Sequence, residues 1–332
     1  MKLVFIGIVS VLVLWDRFAP ALCSVGDRSS LYLNCNYRCM KENCTSDGER
    51  FKSKAAHRQD VWCKLLRWSC DDECRYQCMW YTVQNFKRAG EGTPKFHGRW
   101  PFIRVMGMQE PASAFASVLN FAANAYMYKK IQKQFPLSKA HAMPIITFWH
   151  GFAMVCMNAW VWSTIFHIRD TQFTEFMDYA CALSMVMGLF VAAIVRLCYK
   201  RTKLTIFILI VPLFYFVTHV RYLYEGIINY DYNMTLNIIF GVLGSVIWVV
   251  VSWRQWRGGR GYAWRMLGFT ALSGAALALE LFDFPPTLGA WDAHALWHLA
   301  TAPLPLLFYR YVLDDLHYLQ SKELEKFAFK LT

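Results

Sequence analysis

Long apolar stretches separated by short polar segments dominate the chain beyond residue 104. Crossing the hydrocarbon core of a bilayer as a helix takes about 20 consecutive, mostly apolar residues. The pattern therefore predicts an all-α membrane protein with seven transmembrane helices. The first and sixth stretches are rich in small residues, which favour contact between helices over contact with lipid. The predicted spans cover roughly residues 111–128, 144–167, 174–197, 204–222, 234–253, 263–282 and 293–313.

Near the start of the sequence, Lys2 is followed by the apolar run LVFIGIVSVLVLW and then by small residues near Ala21-Leu22-Cys23. This order is typical of a secretory signal peptide. An uncleaved first anchor is the alternative, although Asp16 and Arg17 end the apolar run early. We expect a signal peptide over residues 1–23, a lumenal cysteine-rich domain over 24–103, a seven-helix transmembrane domain over 104–318 and a cytosolic tail over 319–332.

Composition and charge agree with the membrane assignment. Of the 332 residues, 56% are hydrophobic and 17% charged, which is too apolar for an ordinary soluble globule. Basic residues concentrate in the short loops on one side of the predicted spans, which should therefore face the cytosol. The net charge of +12 reflects this asymmetry, so it does not indicate nucleic-acid binding. These basic residues are Lys129, Lys130, Lys133, Lys139, Arg196, Lys200, Arg201, Lys203, Arg254, Arg257, Arg260 and Arg265, whereas the other side carries Arg169 and Arg221.

Cysteines crowd into the polar stretch before the spans, and disulfides in an oxidising compartment are the favoured interpretation. Spacings of four residues place sulfurs on one helical face, so that two helices could be joined side by side. A zinc site is the alternative, but paired C-x-x-C is absent. Seven is an odd number, and Cys63 lies outside the regular spacing, so we expect it to keep a free thiol. The seven are Cys35, Cys39, Cys44, Cys63, Cys70, Cys74 and Cys78, and sequons begin at Asn43 and Asn233.

Ser163, His167 and Asp178 lie where the second predicted span ends and the third begins, although polar groups inside a membrane are costly. Ser163 and His167 are four residues apart, hence on one helix face. Asp178 lies about two turns into the returning helix, where it can face His167. A Ser163–His167–Asp178 catalytic triad is one interpretation, but no G-x-S-x-G elbow surrounds the serine.

His294 and His298 form an H-x-x-x-H pair at the start of the last predicted span. This spacing presents two imidazoles to one metal ion, although two such histidines can equally be satisfied core groups. With His167 at the same predicted depth, three imidazoles can converge in the open arrangement of catalytic zinc sites. Glu280, Asp283 and Asp292 flank this rim, and Asp292 is the candidate to orient a ligand histidine. The alternative for Asp283 and Asp292 is that they are loop residues exposed to water. The lone His150 and His219 are interpreted as packing residues or as polar residues of a pore.

Long motifs make the chain resemble a known family. FHGRWPF, QEPASA, NAWVWSTIFHIRDT, EFMDYACA, LELFDFPP and DAHALWH, together with the cysteine-rich domain, are similar to the Per1-like family of post-GPI-attachment factors. This family belongs to the CREST superfamily of seven-span hydrolases, which includes alkaline ceramidases and adiponectin-type receptors. The resemblance covers nearly the whole chain.

The resemblance implies a GPI-specific phospholipase A2-type enzyme that removes the sn-2 acyl chain from GPI anchors already attached to protein. His167, His294 and His298 would then bind Zn²⁺, Asp178 would act as the base, and Ser163 would be a polar partner at the metal. GPI-anchored proteins and membrane lipid would be its partners. The alternatives are a ceramidase-like amide hydrolase and a lumenal chaperone or receptor with structural zinc. The C-terminal FKLT lacks a double-lysine retrieval pattern, which favours the Golgi membrane over the endoplasmic reticulum.

Overall fold

Helices form nearly all the regular structure of the protein. A computed structural model describes residues 24–56, 59–226 and 228–331. In these ranges there are twelve α-helices, two short 3-10 helices and a few isolated β-bridges, with no strand. The predicted all-α class is confirmed for this part of the chain. The predicted signal peptide lies outside the described residues.

Two helices joined by disulfides form the centre of the cysteine-rich domain. This domain contains α1 (Val25–Arg28), α2 (Ser30–Asn43), α3 (Val61–Leu65) and α4 (Cys70–Arg88). The four-residue spacing puts successive sulfurs on facing sides of α2 and α4, as predicted. Cys63 keeps a free thiol, which confirms the prediction that one cysteine is left over. The bonds are Cys35–Cys78, Cys39–Cys74 and Cys44–Cys70.

The alternative of a cysteine zinc site is not supported in this domain. Cys44, Cys70 and Cys74 do lie close together, with 3.8 Å between the Sγ atoms of Cys44 and Cys74. All three sulfurs are in disulfide bonds. Thiolate is the form of cysteine that binds metal, so these sulfurs are not available as ligands.

Eight helices follow the cysteine-rich domain. Five helical segments in the described residues are long and apolar enough to cross a membrane, and they match the second to sixth predicted spans: Ile145–Ile168, Gln172–Leu197, Thr202–Tyr224, Tyr230–Arg257 and Gly261–Phe282. The helices are α5 (Pro111–Gln134), α6 (Ile145–Ile168), α7 (Gln172–Leu197), α8 (Thr202–Tyr224), α9 (Tyr230–Arg257), α10 (Trp264–Phe282), α11 (Ala293–Thr301) and α12 (Leu304–Leu331).

The first and last predicted spans differ from these five. Helix α5 buries a stripe of polar side chains, Ser113, Ser117, Asn120 and Asn124, which lowers its apolar content. The expectation of one continuous helix over 293–313 is wrong, since α11 ends at Thr301 and α12 begins at Leu304. Pro303 lies between them, and proline has no N–H to continue the hydrogen bonds of a helix. Helix α12 also extends to Leu331, through most of the predicted tail.

The bundle has an aromatic core and a polar anchor. Helix α5 packs on α6, α11 and α12, while α7 packs on α6, α8 and α9. Trp149, Trp248, Tyr309 and other large side chains fill the space among α6, α9 and α12. Towards the end of α7, Arg196 Nε donates to Asp315 Oδ2 of α12 at 2.5 Å. This buried pair fixes the end of the bundle that is remote from the cysteine-rich domain.

A connecting segment, residues 95–104, joins the cysteine-rich domain to the bundle. Lys95 Nζ lies 2.5 Å from Asp283 Oδ2, just after α10. Ile103 N donates to Gly289 O at 2.9 Å. The Arg169 guanidinium stacks 4.2 Å from the Trp68 ring centre. The domain is therefore docked on the end of the bundle where α6 ends and α7 and α11 begin.

Candidate metal centre

Three histidine side chains converge at this docked end of the bundle. His167 is near the end of α6, and His294 and His298 lie one turn apart on α11. His298 Nε2 is 3.1 Å from His167 Nε2 and 2.9 Å from His294 Nε2. One ligand atom from each residue lies within 4.8 Å of the other two. The structure therefore brings together the three residues that were predicted to share one metal ion.

Backbone contacts hold the helices that carry the rings. Glu110 N donates to His167 O at 2.9 Å, which ties the start of α5 to the end of α6. Asp292 caps α11 by accepting from Ala295 N at 2.8 Å. Asn120 Nδ2 donates to His298 O at 2.7 Å, which joins α11 to α5. The rings are thus carried by three helices whose ends are fixed to one another.

A carboxylate orients each of two rings. His167 Nδ1 lies 2.6 Å from Glu110 Oε2, and His294 Nδ1 lies 2.7 Å from Glu280 Oε2. The Glu110 and Glu280 side chains are only 9% and 8% exposed. A histidine that binds metal usually donates its other N–H to such a partner, which fixes the tautomer and raises the basicity of the ligand.

The hydrogen-bonding capacity of the cluster fits a bound cation. When His167 and His294 donate through Nδ1 as neutral rings, their Nε2 atoms carry only lone pairs. Both lone pairs face His298 Nε2, which has at most one proton to give. Tetrahedral zinc with bonds of 2.0–2.1 Å would hold its nitrogens about 3.3 Å apart. The observed separations are close to this value, so the residues fit a zinc ion.

The third ring has no carboxylate partner. His298 is 3% exposed, and its Nδ1 atom has no hydrogen-bond partner within the described residues. Trp160 packs edge-on against the ring, with 5.4 Å between centres. Contacts with Trp160 and the backbone bond from Asn120 therefore place His298, in contrast to the other two rings.

The cluster is open on one side. The His294 side chain is 30% exposed, whereas that of His167 is 1% exposed. Asp178 is half-buried on α7 and interacts electrostatically with His167 and His294. Its carboxylate makes no hydrogen bond within the part of the chain that the structure describes. A carboxylate beside the histidines and free of partners is able to exchange a proton with a reacting group.

Ser163 lies one turn before His167 on α6 and is buried. Its Oγ is 3.1 Å from Ser117 Oγ on α5. The ring nitrogens of His167 face Glu110 and His298, so neither is bonded to Ser163 or Asp178. The hydrogen bonds of a serine–histidine–aspartate triad are therefore not formed among these residues.

Two expectations about nearby carboxylates need correction. Asp292 does not orient a histidine and is not exposed to water, since it is 7% exposed and caps α11. Glu280 performs the orienting role instead, because it lies at the end of α10 beside His294. Asp283 is 56% exposed, as a loop residue should be, yet it also pairs with Lys95.

Sequence reasoning missed Glu110 as a site residue. The residue stands in QEPASA, immediately before the apolar stretch of α5. A carboxylate at the edge of a membrane segment was the available signal, because such groups are rare and usually functional. Its partner His167 is 57 positions away, so no local spacing linked the two.

The two lone histidines of the apolar helices, His150 and His219, have ordinary partners. His150 Nε2 lies 2.9 Å from Phe135 O, and His219 Nε2 lies 2.9 Å from Asn233 Oδ1. Both are buried and hydrogen-bonded within the bundle, which agrees with the first of the two interpretations, that they are packing residues. The Asn233 side chain that bonds to His219 is buried. The sequon that begins at Asn233 is therefore inaccessible in the folded protein.

Comparisons with known proteins point to one family. The sequence model of the Per1-like family matches residues 61–316. The chain is 40% identical over 307 residues to the Drosophila melanogaster protein named post-GPI attachment to proteins factor 3, covering 91% of this chain and 92% of that protein. It is 42% identical over 307 residues to the Xenopus tropicalis protein named GPI-specific phospholipase A2-like PGAP3, covering 89% and 92%. The human protein of that name is 36% identical over 313 residues, covering 93% and 94%.

Proposed function

Because the chain belongs to the Per1-like family, we propose that it remodels GPI anchors by zinc-dependent hydrolysis of the sn-2 acyl ester. The products would be a lyso-GPI protein and a free fatty acid. The names of the relatives support GPI anchors as the substrate. The observation that carries the reaction type is the cluster of three histidine Nε2 atoms backed by two buried carboxylates.

His167, His294 and His298 would hold the zinc ion. Glu110 and Glu280 keep two of these rings in the tautomer that directs Nε2 at the ion. Bound there, zinc would supply Lewis-acid polarisation of the ester carbonyl and a lower pKa for the attacking water. The two buried carboxylates also balance its positive charge, so the ion is accommodated without an isolated charge in the protein interior.

Asp178 would act as the general base. Its carboxylate takes a proton from the attacking water as the water oxygen forms a bond to the ester carbonyl carbon. The bond between that carbon and the glycerol oxygen then breaks, and the same proton passes from Asp178 to the departing alkoxide. A half-buried aspartate without hydrogen-bond partners suits this exchange, because no neighbouring side chain stabilises its protonated or its ionised form by a hydrogen bond.

Ser163 would stabilise the charge that develops on the ester carbonyl oxygen. A hydroxyl donor placed in a site that excludes water stabilises an oxyanion by a few kcal/mol, on the order of 2.7–4 kcal/mol per donor. Ser117 lies within hydrogen-bonding distance of Ser163 Oγ. When Ser117 donates to it, the proton of Ser163 stays available to the substrate oxygen.

The position of the site matches a lipid substrate. The histidines lie at one end of the membrane helices, beneath the docked cysteine-rich domain. An acyl chain could remain among the membrane lipids while the glycan head group stays in water. We place this activity at the Golgi membrane, with the endoplasmic reticulum as the alternative.

The direct test uses cells that lack the protein. These cells should keep an unsaturated sn-2 chain on their GPI-anchored proteins, as read by mass spectrometry of the released anchor lipid. Wild-type protein should restore the saturated chain, and Asp178→Asn at equal expression and in the same compartment should not. Restoration by Asp178→Asn would exclude the base role and support a chaperone or receptor function.

Metal content tests the zinc site independently of turnover. His167→Ala, His294→Ala and His298→Ala should each lose bound zinc in purified protein, whereas Asp178→Asn should keep it. The measurement is inductively coupled plasma mass spectrometry of detergent-purified protein. Equal zinc in all four variants would contradict the ligand assignment.

A further inference from the structure

We infer that Arg99, carried by the segment between the cysteine-rich domain and the membrane helices, is a positioning residue for the histidine site. This inference rests on the proposed deacylase function. Arg99 would hold the helix that carries Asp178 at a fixed distance from the helix that carries His167. The cysteine-rich domain would thereby complete the active site of the membrane domain.

A tight hairpin presents Arg99 to the bundle. Phe96 and Arg99 exchange backbone hydrogen bonds of 2.8 and 2.9 Å. The two residues between them, His97 and Gly98, have φ angles of 50° and 79°. Positive φ at both central positions is the geometry of the commonest two-residue hairpin turn. Arg99 is therefore the last residue of a rigid turn. The turn fixes the backbone from which its side chain extends.

The cysteine-rich domain holds this hairpin from its other side. The Phe96 ring is 5% exposed and packs against Tyr32 with 5.1 Å between ring centres. His97 N donates to the Asp27 carboxylate at 2.9 Å, and Gly98 N donates to Ser24 Oγ at 2.8 Å. The position of Arg99 consequently depends on the folded, disulfide-bonded domain.

The Arg99 guanidinium contacts three carboxylates that belong to different parts of the bundle. Nη1 lies 2.5 Å from Asp170 Oδ2, and Nη2 lies 3.0 Å from Glu175 Oε1. Nη1 also lies 3.9 Å from Glu110 Oε1. The guanidinium carbon is 4.8 Å from the Phe166 ring centre. One planar group thus bridges the start of α5, the turn between α6 and α7, and the first turn of α7.

Two of these carboxylates lie next to the proposed site residues His167 and Asp178. Glu110 binds the His167 ring, and Glu175 stands one turn before Asp178 on the same helix. Fixing Asp170 and Glu175 against Glu110 therefore sets the separation between His167 and Asp178. Catalysis depends steeply on such separations, since a displacement of about 1 Å can cost on the order of a hundredfold in rate.

The charge balance favours positioning over recognition of a substrate phosphate. Three carboxylates surround one guanidinium, which leaves no excess positive charge for an anionic ligand. The fork of an arginine can bridge two carboxylates at defined angles, whereas a lysine ammonium is a single point charge. Arg99→Lys keeps the charge and removes the bridge, so it isolates the geometric contribution.

The test compares Arg99→Lys with Arg104→Lys in full-length, detergent-purified protein. Arg104 is the matched control, because it lies in the same connecting segment and binds Glu73 within the cysteine-rich domain at 2.8 Å. With a GPI-anchored reporter protein that carries an unsaturated sn-2 chain, Arg99→Lys should lower kcat about a hundredfold. KM and zinc content should remain within twofold of wild type, and Arg104→Lys should keep the wild-type kcat.

Two further measurements separate positioning from simple folding. Backbone amide exchange over residues 169–176 should accelerate at least tenfold in Arg99→Lys and not in Arg104→Lys, with or without added zinc. A variant with Arg99→Met, Asp170→Asn and Glu175→Gln removes the guanidinium together with its two nearest carboxylates, while Glu110 keeps its hydrogen bond with His167. It should recover the apparent Tm of wild type and remain as slow as Arg99→Lys.

Each outcome bears on one claim. An active wild type with unchanged kcat in Arg99→Lys would overturn the role of Arg99 and leave the deacylase standing. Wild-type turnover in the triple variant would show that Arg99 only neutralises charge, which also overturns the inference. A wild-type protein that binds zinc but never deacylates the reporter would instead refute the proposed function.

Discussion

At the scale of single residues, the hydrogen bonds that His167 and His294 make through Nδ1 determine how well the cluster suits a cation. Glu110 and Glu280 are nearly buried, and each has a histidine Nδ1 within 2.7 Å. The negative charge of such carboxylates lowers the free energy of placing a cation among three neutral rings. The pair of His294 and His298 was recognisable from its four-residue spacing, whereas the role of the carboxylates behind the rings was assigned only by the folded arrangement.

We expect Glu110→Gln and Glu280→Gln each to weaken zinc retention about 10–100-fold, since partners of this kind are worth that much in metal affinity. The glutamine oxygen can still accept from Nδ1, but it no longer supplies charge. Competition with a chelator, followed by metal analysis, measures the effect. Glu225→Gln is the control, because Glu225 is 64% exposed and pairs with Arg221 at the end of α8. Retention equal to this control would contradict the orienting role.

The free thiol of Cys63 gives a second prediction at this scale. Cys63 is 7% exposed, and burial raises the pKa of its thiol. The thiolate is the reactive form, so a thiol label should modify Cys63 only after denaturation. A free cysteine alone would suggest ready labelling, which the burial corrects. Mass spectrometry of labelled peptides from native and denatured protein measures this, and rapid native labelling would contradict the burial.

At the scale of helices, a buried polar network holds α7, α9 and α12 together at the end remote from the histidines. Asp315 accepts from Arg196 Nε at 2.5 Å, from Gln255 Nε2 at 2.9 Å and from Tyr262 OH at 2.8 Å. Both oxygens of the carboxylate accept hydrogen bonds, so the charge is well satisfied despite its burial. The pattern of apolar residues predicted helices here without indicating which ones would be joined.

Asp315→Ala should destabilise the protein by roughly 3–5 kcal/mol, the usual cost of leaving one partner of a buried ion pair uncompensated. The double variant Arg196→Met with Asp315→Leu should recover much of that loss, because it removes both charges. Denaturant unfolding in detergent provides the comparison. Glu325→Gln serves as control, since Glu325 is 61% exposed and pairs with Lys322 on the surface of α12. Equal stability of Asp315→Ala and this control would contradict the anchoring role.

At the scale of the whole molecule, the docking of the cysteine-rich domain connects the two halves of the protein. Ile103 N donates to Gly289 O, and Lys95 pairs with Asp283 across the same junction. Gly289 has a φ of 76°, and a Cβ atom there would lie 2.4 Å from Ile103 Cδ1. The absence of a side chain at this position therefore allows the close approach.

Gly289→Ala should loosen the docked domain and lower kcat, because Ile103 would have to move and shift the segment that carries Arg99. Gly259→Ala is a matched control: it has the same φ of 76°, but no atom lies within 4 Å of its added Cβ. Both variants carry the backbone strain of alanine at positive φ. Amide exchange over residues 95–104 should rise only in Gly289→Ala. Equal exchange in the two variants would show that the contact with Ile103 is unimportant for docking.

The sequence by itself determined the helical class, five helices long and apolar enough to cross a membrane, the paired faces of cysteines, the leftover Cys63 and the pairing of His294 with His298 on one helix face. These features are local, because periodicity, composition and four-residue spacings specify them within one or two helical turns. The tertiary structure alone decided the break at Pro303, the capping role of Asp292, the orienting role of Glu110 and the reach of Arg99 into the bundle. Such contacts join residues as far apart as the 131 positions between His167 and His298, and they exist only once the helices pack.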